Sequence, residues 1–281
     1  VLAIDPGFRT GCKIAVVDPT GKVLATATSY FTPPKAEYSR GKQLILELYD
    51  TYKPDVVAIG NGTASRETEE FIARVIGEEN LALSYTIVSE AGASVYSASD
   101  LAREEFPDLD VSIRGAVSIG RRLQDPLAEL VKVPPQSIGV GQYQHDVDQK
   151  RLSQALASVV EDAVNAVGVD LNTASSSLLA YVAGISSRVS QNIVEYRNEN
   201  GPFQNRNELK KVSKLGPATF TQCAGFLRIP GGKNPLDNTA VHPESYKLAQ
   251  KIYPYLQENL STLQLKQLAQ ELEAGFPTVL D

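Results

Sequence analysis

VLAIDPGFRTGCKIAVVD, residues 1–18, decides how the rest of the chain is read. Four apolar residues run straight into Asp5, Pro6 and Gly7 force a turn, and a second β-forming run, Cys12 to Val17, comes at once. Asp5 therefore stands at a strand end, where a carboxylate faces the mouth of a sheet. Asp-Pro-Gly is by itself hairpin chemistry, Asp bonding its own backbone and Gly supplying a positive φ. The same carboxylate is a metal ligand if two further acids reach it. Both readings stay open on this stretch alone.

Working outward, the turn Asp18-Pro19-Thr20-Gly21 leads into a third strand over 22–30, which makes an antiparallel meander. Leu44, Leu48 and Tyr52 recur at helical spacing in a helix over 37–52 that Lys53-Pro54 stops. Residues 55–60 are apolar without alternation, as in a parallel strand covered on both faces. Thr63 or Ser65 is the candidate N-cap of a helix over 66–75. A strand over 84–89 then ends at Glu90, and a helix spans 92–105. Residues 112–132 read as helical with a break at Asp125-Pro126, where Asp125 is either the cap of a new helix or a third acid. Three antiparallel strands and then parallel strands with crossover helices give the order β-β-β-α-β-α-β-α, that of an RNase H-like α/β fold: a mixed sheet with flanking helices.

Pro134-Pro135 and the polar stretch 139–146 read as a linker. Beyond it a long helix over 150–167 keeps Leu152, Leu156, Val159, Val160, Ala163, Val164 and Val167 on one face, predicted to be buried against the segment C-terminal to it. Two near-repeats come next: a helix over 173–182, a turn at 183–186 and a helix over 188–200, then a helix over 207–212, a turn at 213–217 and a helix over 218–227. They read as an all-α module of tandem helix-hairpin-helix motifs. Backbone N–H groups around Gly184, Ile185 and Ser186, and around Leu215 and Gly216, are the candidate phosphate site. Arg188, Lys210, Lys211, Lys214 and Arg228 surround those turns; the plainer use of the same residues is a solvated basic face on a helical hairpin. From Pro230 the chain turns loop-like, with helices near 244–253 and 262–273 forming a connector. The expected domains are 1–135, a linker and connecting helix over 136–168, the hairpin module over 169–233, and the connector over 234–281.

Charge obeys the same division. The chain carries a formal net charge of −6, residues 1–150 are themselves −6, and 184–233 are +5, from eight basic and three acidic residues. A basic footprint inside an acidic chain is what a nucleic-acid contact confined to one module looks like. Two Cys and two His make neither a disulfide framework nor a zinc site. With no membrane-length apolar run and no signal-peptide pattern, the expected location is the cytoplasm. The sequence does not begin with Met and opens within a strand, as expected of a piece of a longer protein.

DPGFRTG, GNGTASRETE, EAGASVYSASDLAREEFP, RRLQDPLAELVKV, GVGQYQHDV, the tandem hairpins, GFLRIPGG and LDNTAVHP closely resemble the Tex family of bacterial transcription accessory proteins along almost the whole chain. The resemblance implies a YqgF-type domain of RuvC-like, RNase H-like fold, a tandem helix-hairpin-helix module, and a role in transcription through binding of RNA or DNA. It also implies an N-terminal helical region and a C-terminal OB-fold RNA-binding domain that this sequence does not hold, and the transcription machinery as a partner. Carried over by position, Asp5, Glu90 and Asp125 match the three acids of the YqgF group. Asn61 stands where RuvC-type resolvases carry a Glu, which would weaken metal affinity. The expected function is a nucleic-acid-binding accessory factor that needs no cofactor. The alternative is a metal-dependent nuclease or junction resolvase in which Asp5, Glu90 and Asp125 hold Mg²⁺.

Overall fold

The structure, a computed structural model, describes residues 1–252 and 262–271. The helical expectations at Tyr253 and at 272–273 lie outside the described residues. The chain divides into two compact units, Val1–Ser158 and Val159–Asp281.

In the first unit, β1 (Leu2–Asp5), β2 (Cys12–Val17) and β3 (Val23–Ser29) form the meander, and α1 (Tyr38–Tyr52), β4 (Val56–Gly60), α2 (Ser65–Glu79) and β5 (Ser84–Val88) come after it. The sheet order is β3-β2-β1-β4-β5, with β1–β4 and β4–β5 parallel and the other pairs antiparallel. Apart from Asp5 at the end of β1, β1 and β4 are apolar because both of their faces are covered. Leu2, Ile4, Val57 and Ile59 meet Ile45 and Leu48 of α1 and Phe71, Ile72 and Val75 of α2. The opposite face, Ala3, Ala15 and Ala58, is covered by Ala116, Val117 and Ile119 of a later helix. Edge strand β3, by contrast, alternates between half-buried and exposed positions.

α3 (Ala93–Ala98), α4 (Asp100–Glu105), α5 (Val111–Gln124) and α6 (Pro126–Leu130) complete this unit, and α7 (Gln149–Val167) begins in it. The single helix expected over 92–105 is two helices, because Ser99 accepts a bond from the Ala102 N–H and restarts the chain as an N-cap. Neither Thr63 nor Ser65 caps α2; its cap position is Ala64 in the left-handed region, φ 65°. α5 lies against β1 at backbone distance: a Cβ on Gly120 would stand 2.9 Å from Ala3 Cβ, and one on Gly115 would stand 2.9 Å from Asp5 Oδ2. This close approach makes α5 the floor of an acidic pocket.

The apolar stripe of α7 does not find the burial predicted for it. Only Val164 is fully buried; Leu152, Leu156 and Val160 are half-buried, and Val159 and Val167 are 63% and 68% exposed, so the described residues cover the stripe only in part.

The second unit holds β6 (Val169–Asp170), α8 (Ser176–Leu179), α9 (Ser187–Asn200), α10 (Pro217–Cys223), β7 (Leu227–Arg228), α11 (Tyr246–Ile252) and α12 (Thr262–Glu271). The helices expected over 173–182 and 218–227 are shorter, and the one over 207–212 is a 3₁₀ segment, Arg206–Lys211. β6 and β7 pair in parallel and tie the start of the hairpin module to its end; two residues are too few to show a strand pattern. No helix among the described residues is long and apolar enough to cross a membrane.

Candidate nucleic-acid interface and acidic pocket

The two hairpins of the second unit repeat one chemistry at a spacing of 30 residues. In the first, Val182 N–H donates to Leu179 C=O and Ile185 N–H to Val182 C=O; in the second, Val212 donates to Leu209 and Leu215 to Val212. All six of these apolar residues are buried, so each turn is anchored from below and its backbone is held outward. The residue before the last anchor is left-handed in both, Gly184 at φ 82° and Lys214 at φ 65°. Lys214 bears there a steric cost of about 1 kcal/mol that glycine avoids, so a lysine is held at the tip of a strained turn. Asn165 fixes the first turn by accepting from Ala183 N–H and donating to Tyr181 C=O, and Asn192 fixes the second by donating to Ser213 C=O.

Ser186 caps α9, accepting from Val189 N–H, so the remaining N–H groups of that first turn have no partner inside the helix. α10 opens on Pro217, which has no N–H, and Gly216 is its cap residue. The two turns thus leave two first-turn N–H groups each, Ser187 and Arg188 in the first and Ala218 and Thr219 in the second, and differ in charge, which the second carries more of.

Of the eight cations in 184–233, five are exposed: Arg188, Lys210, Lys211, Lys214 and Lys233. Lys210 bonds Asn207 Oδ1 and lies over the Phe220 ring, 4.4 Å from its centroid. Arg228 does not join the surface group. Its guanidinium packs on Gly168, donates to Gly225 C=O at 2.5 Å, and has a lowered pKa, chiefly through burial. Arg197 donates to Leu171 and Ala174 C=O, and Arg206 is 1% exposed. Sequence counting treats these three inward residues and the five outward ones alike.

The first unit holds the acidic pocket. Asp5 and Glu90 line a cavity of about 420 Å³ with Asp110, Ser94, Ser97, Ser112 and Gly115. β1 ends at Asp5; Glu90 comes just after β5, and its carboxylate fills the space that a Cβ on Gly60 or Gly62 would take. Burial first, and then the charge of Glu90, push the Asp5 carboxyl from 3.8 up to about 6, against the opposing pull of Lys13. Asp110 is held low, first by the Ser112 hydroxyl and N–H that donate to it.

Asp125 does not reach this pocket. It caps α6, accepting from Ala128 N–H at 2.9 Å. Asp110 and Asp125 flank α5, so fifteen residues of helical rise set them about 20 Å apart. Asp110 is the acid that the sequence does not reveal. The available signal is an Asp directly before an apolar-periodic helix whose second turn, by the contact of Gly115, passes Asp5.

A nuclease of this fold needs a set of acids around paired divalent ions, and the residues present do not make one. Asp125 lies elsewhere, and the Asn61 side-chain oxygen accepts Glu90 N–H at 3.0 Å. Among the described residues, no three His, Cys, Asp or Glu side chains come together as a metal-holding group.

A carboxyl with a raised folded pKa favours folding below its unfolded value, and its ionisation opposes folding as the pH rises through about 6. Asp5→Asn should therefore stabilise the first unit by about 1–2 kcal/mol at neutral pH, allowing for solvent screening, and the gain should vanish on acidification below the unfolded pKa. Urea unfolding of both proteins across that range measures it.

Three family profiles match in order along the chain: a Tex protein YqgF-like domain over residues 1–124, a helix-hairpin-helix motif over 164–228, and an HHH domain over 234–281. The last assigns a domain where the sequence reads as a connector. Protein tex of Bordetella pertussis is 57% identical over 253 residues, covering 90% of this chain and 32% of that protein. Transcriptional accessory protein Tex of Neisseria gonorrhoeae is 52% identical over 292 residues, covering 100% of this chain and 38% of that protein. S1 RNA-binding domain-containing protein 1 of Homo sapiens is 42% identical over 304 residues, covering 89% of this chain and 30% of that protein. The chain spans less than half the length of the curated relatives it matches.

Proposed function

The chain belongs to the Tex family, and from that premise we propose that its tandem hairpins hold RNA or DNA by the phosphates, as the nucleic-acid-binding part of a transcription accessory factor. The repeated anchoring at a spacing of 30 residues, which turns two loops and the cations Arg188, Lys210, Lys211 and Lys214 outward, carries this reading. Phosphate contacts of this kind position a strand and do not read its sequence. The binding needs no cofactor, its site of action is the cytoplasm, and its further partner is the transcription machinery. The names of two relatives, a transcriptional accessory protein and an S1 RNA-binding domain-containing protein, support the assignment.

The test is fluorescence anisotropy with two unrelated sequences, each as RNA and as DNA. Reversing Arg188, Lys211 and Lys214 to Glu should weaken binding about tenfold or more, equally for both sequences. Reversing Lys22 and Lys53 of the first unit should change it little. Equal losses from the two sets would move the interface off the hairpins.

A further inference from the structure

We propose that Lys13 is the resident counter-cation of the acidic pocket, filling the electrostatic role that a divalent ion has in nucleases of this fold, and that it keeps the pocket closed to divalent metal. The ladder between β1 and β2 pairs Asp5 directly with Lys13. Side chains alternate along a strand, so Asp5 shares its face with Ala3, and Lys13 shares its face with Ala15. Both alanines pack toward α5, which places the lysine and the aspartate on one face of the sheet, the face that α5 crosses. Asp110 begins that helix.

The ammonium is held in place by the hairpin itself. Nζ donates to the carbonyls of Thr10 and Gly11, the two residues before β2, which tethers the positive end close to the strand end. Its charge acts on Asp5 and on Asp110, favouring the ionised form of both. Two of the oxygens a metal could use are already engaged. Asp110 Oδ1 accepts Ser112 N–H at 2.9 Å and its hydroxyl at 2.5 Å, and Asn61 Oδ1 accepts the Glu90 N–H. An ammonium balances charge and donates hydrogen bonds, but it cannot activate a bound water as a Lewis acid. The pocket therefore keeps the acids of a phosphate-cleaving fold without the ion that makes them cleave. This inference concerns the first unit and is independent of the hairpin reading.

The test uses the full chain and Mn²⁺ alone as the probe, with electron paramagnetic resonance reading the free ion. Binding is counted only as the fraction that Asp5→Asn removes. Wild type should show no such fraction, whereas Lys13→Gln should create one, tightening Mn²⁺ binding at the pocket by about tenfold or more. Lys13→Arg, which keeps a cation, should behave like wild type; circular dichroism of each variant establishes that it is folded. Three results would each overturn the proposal: an Asp5-dependent Mn²⁺ site in wild type as tight as that in Lys13→Gln, no gain in folded Lys13→Gln, or an equal gain in Lys13→Arg, which would trace the change to lost packing.

Discussion

Arg206→Met is expected to unfold the second unit while the first stays folded. Arg206 is 1% exposed, and its guanidinium is the hub that gathers the chain between Leu227 and Tyr246. Nε donates to Leu227 C=O at 2.8 Å, Nη2 to Thr239 C=O at 2.6 Å, and Nη1 to Val241 C=O and the Tyr246 hydroxyl, both at 2.7 Å. The Tyr246 hydroxyl donates in turn to Asp237 Oδ1, whose other oxygen accepts the Arg206 backbone N–H. Methionine has similar bulk but leaves three carbonyls and the Tyr246 hydroxyl without the donor they had. Removing one partner of such a network costs about 3–5 kcal/mol, a large share of what a domain this size has to lose. Arg206→Lys should fare little better, since one ammonium cannot span acceptors spread over a planar fork. Limited proteolysis during a urea titration separates the two units. Cleavage confined to residues beyond 159 at lower urea is the expected pattern, and an unchanged midpoint would mean the network is solvated.

Gly120→Leu should be nearly as damaging to the first unit. At that position α5 approaches β1 so closely that a Cβ would stand 2.9 Å from Ala3 Cβ and 3.2 Å from Val17 Cγ2. Both neighbours belong to central strands of the sheet and have no free end to swing aside. Overpacking of this kind costs about 3 kcal/mol, more than the helix gains by losing a glycine. The helix can make room only by retreating, which also lifts Gly115 from Asp5 and opens the acidic pocket. Thermal unfolding monitored by circular dichroism should show the loss. A midpoint equal to wild type would mean that α5 does not press on the sheet.

These two residues also mark where the sequence stops being legible. The five strands of the mixed sheet can be read because apolar runs, Pro and Gly punctuate them, and Asp5 and Glu90 can be placed because each ends a strand. Asp110 escapes because an Asp before a helix looks like a cap, and it is one; only the crossing of α5 over β1 brings it to the pocket. Asp125, at the other end of the same helix, offers the same local signal and is a cap alone. Arg206 and Arg228 read as surface charge, and nothing local says otherwise. The carbonyls that Arg206 binds lie 21 to 35 positions away in the chain, and Arg228 is drawn in by packing on Gly168. The stripe on α7 shows the converse: periodicity predicts an apolar face, but not that the described part of the chain supplies its cover.

The salt dependence of nucleic-acid binding tests the central claim most directly. Five exposed cations in 184–233 allow a slope of log affinity against log salt no steeper than about −4.5 on a duplex and about −3.5 on a single strand. With Arg188, Lys211 and Lys214 reversed, the slope should become shallower by roughly 2–3 units, because each lost phosphate contact no longer releases its condensed counterion. A flat slope in wild type, or a slope that survives the three reversals unchanged, would contradict the account and assign the binding to another surface.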